Sequence, residues 1–470
     1  MPSVPYRPSM TTPAPPPTRA ESIFAAPRPT RAERRAKGKA KRRQVPLISL
    51  GEVDADAQRK DPLTILHAQD ASRDQTLVPV RYERMAANPF AFLRGAAAVM
   101  ASDLGRLPTS GIGVQLCGDA HVANFGMFGS AERDLVFDVN DFDETLRGPF
   151  DWDVRRLAAS AVEAALVAGH SDKTARRAAA ESARMYRVTM SRLSKLTTLD
   201  AWYVKLDVST LLKRLDESRL KSEIQDVRRQ ARRRTGDQAT DKLTELVDGR
   251  RRFRSDPPLL VPLAEADPEG TVRRLAPVYG NYLATLQADR AALLHHYSFV
   301  DLALKVVGVG SVGTRAGIIL LESGDGDPLL LQVKQALTSV LEPYLGESPF
   351  ASHGERVVYG QRVMQATGDP FLGFVRMADD GSSDFYLRQF RDMKGSVETE
   401  GLDRESIVDY AGLCGGVLAR AHARVGDPSM ISGYLGSTDE FDVAMADFAV
   451  GYSSITKHDY ALLTAEQAKA

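Results

Sequence analysis

The hydrophobic pattern changes period several times along this 470-residue chain, and each change predicts an element. Residues 1–45 combine Pro, Ala, Arg and Lys without an apolar face, so they are expected to form a disordered basic tail. Asn88-Pro89 opens a helix whose Phe92, Leu93, Ala96, Ala97, Met100 and Leu104 share one face, with Leu107-Pro108 ending it. The short apolar runs at 114–117 and 135–137 predict buried strands. A long helical pattern covers 154–168, and a charged helical region fills 172–255. A further helix is expected over 269–296. The period then shortens to strands at 304–307, 317–322, 329–334 and 385–391, with a turn at 324–328. Helices over 352–366, 410–424 and 439–452 complete the pattern.

Composition adds little against an ordinary globular protein, at 43% hydrophobic and 26% charged residues. The formal charge is zero overall, yet the first 45 residues hold eleven Lys or Arg against Glu21 and Glu33. No run approaches the roughly 18 apolar residues of a membrane span. Only Cys117 and Cys414 occur, which excludes a disulfide framework, and no zinc-binding signature is present. The expected setting is the cytoplasm, with no membrane partner. The basic runs at 228–234 and 250–254 are expected as solvated faces, so nucleic acid is not the expected partner.

The candidate chemistry sits where two apolar runs end. Gly118-Asp119 opens a polar loop that gathers Asp119, His121 and Asn124. The run at 135–137 then delivers Asp138, Asn140, Asp141, Asp143 and Glu144. So many carboxylates need a cation or protons to neutralise them. A lone Gly-Asp-x-x-x-x-Asn is an ordinary turn; the second acidic loop, at a strand exit, is what points to a site. A glycine-rich stretch, Gly308-Val-Gly310-Ser-Val-Gly313, leads into a strand rather than the helix that a dinucleotide loop requires. The following strand ends in Lys334, which needs an anion if buried. Glu355 is the expected partner and Glu342 the alternative; an edge-strand lysine with its amine in water is the competing reading.

Gly-Asp-x-His-x-x-Asn followed by a strand ending in Asp-Phe-Asp resembles the catalytic centre of protein-kinase-like phosphotransferases, in the spelling of aminoglycoside and choline kinases. The resemblance implies that Asp119 is the base and that Asn124 and Asp141 hold Mg²⁺, with Asp138 and Asp143 as further metal candidates. It implies that Gly308, Gly310, Gly313 and Lys334, tethered by Glu355, hold the ATP phosphates. His121 would support the loop or touch the γ-phosphate, and Asp153 would anchor the loop. In a kinase the glycine loop precedes the catalytic loop; here it follows, which implies a circular permutation. The stretches 116–124, 137–144, 148–157, 307–315, 332–336 and 361–373 together resemble the bacterial domain-of-unknown-function 2252 family.

The expected fold is therefore α+β and two-lobed, kinase-like in permuted order. A helical lobe over 46–299 would carry the catalytic and metal loops, a β-rich nucleotide lobe would span 300–395, and helices over 396–470 would pack on the first lobe. The expected activity is ATP- and Mg²⁺-dependent phosphoryl transfer to a hydroxyl on a small molecule or protein. The alternatives are an ATP-binding pseudokinase, a nucleotidyl (AMP) transferase, or a nucleic-acid-binding interaction protein.

Overall fold

The computed structural model describes residues 24, 26–54, 58–215, 218–233, 236–263, 268–305, 312–377, 383–390 and 394–469. The expectations for Gly308, Gly310 and the tail over 1–23 lie outside the described residues.

The chain opens on α1 (Arg31–Gln44), where Thr30 and Glu33 form a reciprocal capping box. Four short helices follow: α2 (Pro62–Asp70), α3 (Val78–Met85), α4 (Pro89–Gly95) and α5 (Ala97–Leu104). Then come β1 (Gly113–Leu116), β2 (Phe125–Gly129), β3 (Leu135–Val139) and β4 (Leu146–Pro149), with β1 antiparallel to β4 and β2 to β3. The long helices α6 (Phe150–Val167) and α7 (Asp172–Leu193) run next. They lead into α8 (Thr198–Tyr203), α9 (Val208–Arg214), α10 (Arg219–Arg233) and α11 (Gly236–Leu243). A hairpin of β5 (Thr244–Val247) and β6 (Arg250–Phe253) precedes β7 (Leu260–Pro262), α12 (Pro268–Leu283) and α13 (Ala288–Leu294). The remaining strands are β8 (Tyr297–Lys305), β9 (Ala316–Ser323), β10 (Pro328–Ala336), β11 (Gly373–Met377) and β12 (Ser383–Gln389). Between β10 and β11 lie α14 (Glu342–Leu345) and α15 (His353–Met364), and the chain ends with α16 (Arg404–Val425), α17 (Pro428–Leu435) and α18 (Glu440–Gln467).

Six strands join in one antiparallel sheet of order β11-β12-β10-β9-β8-β7. Its two faces carry different cores because successive side chains point to opposite sides. Leu321, Leu329, Leu331, Phe385 and Leu387 pack on Tyr282 of α12 and Leu294 of α13. Ala303, Ile318, Leu320, Leu330 and Phe390 face the other way, against Phe253 of β6, with Ala239 and Leu243 of α11 beside them. The largest core lies in the helical body, where α6, α7, α16 and α18 enclose β1–β4.

Several expectations need correcting. The helix expected from Asn88 onward breaks at Ala96, whose backbone leaves the helical region (φ −111°, ψ 36°). The basic run 250–254 lies mostly in strand β6 rather than continuing a helix, and 269–296 divides into α12 and α13, with β8 starting directly after it at Tyr297. The sheet thus begins before residue 300 and also takes in β7 and β11, neither of which stood out in the sequence.

The largest correction concerns the tail: residues 31–44 are an ordered helix. Its basic composition conceals a small-residue contact. A Cβ at Gly38 would stand 2.0 Å from the Met430 carbonyl oxygen, and one at Gly433 would stand 2.2 Å from that of Arg35. Helices α1 and α17 therefore cross backbone to backbone, and an Arg34–Asp427 ion pair (3.0 Å) flanks the crossing. Gly38→Ala is expected to cost about 1–3 kcal/mol by forcing the helices apart. Deletion through residue 45 should cost at least as much, at about 2–4 °C of melting temperature per kcal/mol. A calorimetric scan with no shift in either variant would show that α1 is not docked.

Candidate functional site

The polar loop after β1 is held from beneath by a carboxylate on α6. Asp153 accepts hydrogen bonds from the Cys117 and Gly118 backbone N–H groups (2.8 and 3.1 Å). His422 of α16 lies 3.0 Å from the same carboxylate through Nε2, while its Nδ1 lies 2.9 Å from the Tyr186 hydroxyl. Asp153 therefore occupies the anchoring position the sequence suggested. Gly118 has a φ of +86°, and a Cβ there would lie 2.3 Å from the Glu144 carbonyl oxygen, so the turn tolerates no side chain.

That turn places Asp119 at the wall of a cleft of about 860 Å³ between the sheet and the helical body. Arg156, three residues after Asp153 on α6, grips Asp119 Oδ1 through Nε (2.9 Å) and Nη2 (2.7 Å). His121 is buried, with Nε2 3.6 Å from Asp119 Oδ2 and Nδ1 unpartnered. Burial pushes its imidazole down to about 3, against the pull of Asp119, so the ring is neutral at physiological pH.

Asn124 ties this loop to the acidic one. Its Nδ2 donates to the Asp119 and Asp141 carbonyl oxygens (both 3.0 Å), and its Oδ1 accepts from the Asp141 N–H (2.9 Å). The side chain expected to be a metal ligand thus serves first as a staple. Across the cleft, Lys334 on β10 places Nζ 3.2 Å from Asp141 Oδ2 and 2.6 Å from Asp143 Oδ2. The Tyr386 hydroxyl on β12 donates to the other Asp143 oxygen (2.6 Å). Burial alone would raise Asp141, but Lys334, then Arg388 and Lys394, hold it well below the usual carboxylate range. Burial would likewise lower Lys334, and Asp141 and Asp143 reverse that, lifting it above its ordinary value.

Two sequence assignments fail on geometry. Glu355 is not the partner of Lys334: the amine is taken by Asp141 and Asp143, while Glu355 heads α15 as a half-buried residue with its N–H on Ser352. Glu342 is not the partner either; its carboxylate lies near His353 and Arg356. Asp138 is not a metal candidate. It points away from the cleft, is buried against Arg420 of α16, and accepts from the Val139 and Ala366 N–H groups (2.8 and 3.1 Å). Strand alternation explains this, since Asp138 lies within β3 while Asp141 and Asp143 follow its end.

Gly313 is the described remnant of the glycine stretch. Its carbonyl accepts from the Asp74 N–H (2.7 Å), and Arg73 donates to the Val312 carbonyl (2.6 Å), so the turn is docked on the helical body. The sequence reading missed Arg73, Arg156, Tyr386, Arg388 and Lys394. Only Arg156 carried a signal, as one of two adjacent arginines, with Asp151, Asp153 and Glu163, in a helix otherwise of apolar and small residues.

Among the described residues no three His, Cys, Asp or Glu side chains form a metal cage. The donors at the cleft are carboxylate and amide oxygens, and the amide Oδ1 of Asn140, beside Asp141, is buried without a partner. That set suits Mg²⁺, which binds one or two carboxylates together with substrate phosphates rather than an all-protein cage.

Removing Asp138 should strand a buried guanidinium, so Asp138→Ala is expected to destabilise the fold by about 3–5 kcal/mol in chemical denaturation. Asp141→Ala, at the open cleft, should cost much less; equal costs would contradict the placement. His121 offers a pH test. Its folded value lies below the unfolded one, so the unfolded chain takes up the proton first, and stability falls as pH drops from 6.5 towards 3. Nitrogen-resolved NMR should find the ring neutral at pH 5; a titration midpoint near the ordinary histidine value would refute its burial.

A family model described as "Uncharacterized protein conserved in bacteria (DUF2252)" matches residues 73–466. No curated protein and no solved structure matches the chain. Among the described residues no helix is long and apolar enough to cross a membrane. With the match running from Arg73 at the glycine turn to Glu466 in the last helix, the chain belongs to the DUF2252 family.

Proposed function

We propose that this protein is an ATP- and Mg²⁺-dependent phosphotransferase with a kinase-like site in permuted order. The observation that carries the reading is the approach of Lys334 Nζ to within 3.3 Å of both Asp141 oxygens, 193 residues away in sequence, beside the Asp119 loop. Three separate stretches that resemble one catalytic centre thus support each other in space. The order β8, glycine stretch, β9, turn, β10 along the chain is the order of elements in a kinase-like nucleotide lobe, which further supports the reading.

In this reading Asp119 receives the proton of the acceptor hydroxyl as that oxygen bonds to the γ-phosphorus and the bridge to the β-phosphate breaks. Arg156 fixes one Asp119 oxygen and leaves the other towards the cleft. Asp141 and Asp143 hold Mg²⁺, with Asn124 keeping their loop in register. Bound Mg²⁺ supplies neutralisation of charge on the transferred group. Lys334 then exchanges its carboxylates for phosphate oxygens. Neutral His121 supports the loop. One observation favours a non-catalytic, nucleotide-binding reading instead: Arg156 already holds Asp119 Oδ1 through two N–H groups.

The test is transfer from γ-labelled ATP to metabolite and protein pools, run beside thermal shifts. Saturation of wild type with Mg²⁺ and ATP at about a hundredfold above Kd should stabilise it by about 2.7 kcal/mol. Asp141→Asn and Lys334→Met, each compared with and without ligand, should lose that increment. Asp119→Asn should keep the increment and lower transfer by about 10²- to 10⁴-fold. Stabilisation of wild type without transfer to any acceptor would favour the non-catalytic reading. Equal stabilisation of wild type and Asp141→Asn would exclude the metal assignment.

A further inference from the structure

The Asp119 side of the cleft holds hydrogen-bonding capacity that the fold leaves unused. Two arginines stand close to Asp119. Arg156 is fully engaged: Nε and Nη2 hold Asp119 Oδ1, Nη2 also donates to the Leu93 carbonyl (2.7 Å), and Nη1 rests on the Met100 sulfur (3.6 Å). Arg94, near the end of α4, lines the cleft as a half-buried residue. It makes no hydrogen bond or ion pair among the described residues. Its Nε is buried without a partner, and its guanidinium lies 5.8 Å from the centre of the Phe90 ring.

The neighbouring carboxylates act on Arg94 without taking it up. Asp119 and then Glu398 offset its burial, yet burial still holds the guanidinium below its ordinary value. Asp119 gives Oδ1 to Arg156, and its Oδ2 lies 3.6 Å from His121 Nε2, while Glu398 is exposed. His121 adds a second unused group to the same lining, because its Nδ1 is buried without a partner. A buried donor left unsatisfied is costly, and a ligand that completes it explains why it persists. The ligand chemistry follows from the donor. An arginine Nε and one Nη form a fork that matches two oxygens of a carboxylate or phosphate. An ammonium group beside Asp119 would instead place like charge against Arg94.

We propose that Arg94 is an acceptor-binding residue, and that the acceptor is a small hydroxyl compound carrying an anionic oxygen group, a carboxylate or a phosphate. Arg94 holds that group while the hydroxyl meets the free oxygen of Asp119. The inference rests on the phosphotransferase reading for the fate of the hydroxyl, though not for the binding of the anion.

Nitrogen-resolved NMR of the full chain reads the Arg94 Nε–H directly, with Arg94→Lys as the assignment control. Inorganic phosphate or acetate should move that resonance saturably, in wild type and in Lys334→Met alike, while glycerol leaves it in place. Movement with phosphate alone points to a phosphorylated acceptor, and movement with acetate to a carboxylate. No movement with either anion overturns the inference. The second arm divides a cell extract on an anion exchanger and offers each fraction with γ-labelled ATP. Label should enter retained small molecules, with Arg94→Gln raising the apparent KM about 10- to 100-fold and changing kcat by less than about threefold. Arg94→Lys should recover part of the KM loss, which a folding defect would not. Label confined to protein or to unretained compounds, or an unchanged KM in Arg94→Gln, overturns the inference and leaves the phosphotransferase reading intact. Movement with an anion but no transfer to any acceptor sustains the anion site and refutes the phosphotransferase reading. Neither movement nor transfer overturns both.

Discussion

The buried amine of Lys334 is the constraint around which the two halves of this protein meet. A lysine ammonium taken out of water is costly unless carboxylates surround it. Here Asp141 and Asp143 do so at 3.2 and 2.6 Å, and Tyr386 completes the hydrogen bonding of Asp143. The lysine belongs to the sheet and the carboxylates to the helical body, so neither half satisfies its charges alone. Closing so long a segment costs only a logarithmic loop entropy, whereas leaving either charge unpaired would cost several kcal/mol.

A second layer of buried polar contacts gives the cleft its geometry. Asp153 holds the backbone N–H groups at the head of the Asp119 loop, and Asn124 staples that loop to the acidic one. Arg356 of α15 then donates to the carbonyls of Asp143 and Thr145 (2.9 and 2.8 Å), locking the far side of the acidic loop to the sheet domain. Each link satisfies backbone groups that would otherwise be buried without partners. The loops that carry the functional side chains are therefore fixed through main-chain contacts, in addition to the side-chain contacts of Lys334 with Asp141 and Asp143 and of Arg156 with Asp119. Glu144 illustrates the electrostatic outcome. Burial first, and Asp143 and Asp119 beside it, push its carboxyl up to about 7 despite the Val340 N–H and Arg356.

Charge is distributed in a way the overall neutrality hides. Of the basic residues of α1, Arg31 donates to the Leu196 carbonyl, Arg34 pairs with Asp427 and Arg35 donates to Ser432, all far from the Asp119 loop in sequence. The lysines and arginines that line the cleft (Arg73, Arg94, Lys242, Lys334, Arg388 and Lys394) are scattered from the early helices to the segment after β12. Of the basic runs at 228–234 and 250–254, expected as solvated faces, Gln230 lines the cleft and no arginine does among the described residues.

By itself the sequence determined what local chemistry can determine. Helix caps, turn residues and the switch from helical to alternating periodicity located most of α6, β9, β10, α15, β12 and α16. The crowding of carboxylates after a buried strand marked Asp119, Asn124 and Asp141 as one neighbourhood, and Gly-Pro followed by Asp153 marked the anchor. Only the tertiary structure decided which opposite charge meets which. Glu355 lost Lys334 to Asp141 and Asp143 because the partner of a buried charge is chosen by the packing of two domains, not by helix spacing. Asp138, inside β3, was taken up by Arg420 and the Ala366 N–H while Asp141, past the strand's end, reached the cleft, and α1 was ordered by two glycines that matter only where another helix touches them. Register and side-chain direction across distant elements are long-range properties, so no local pattern of residues could encode them.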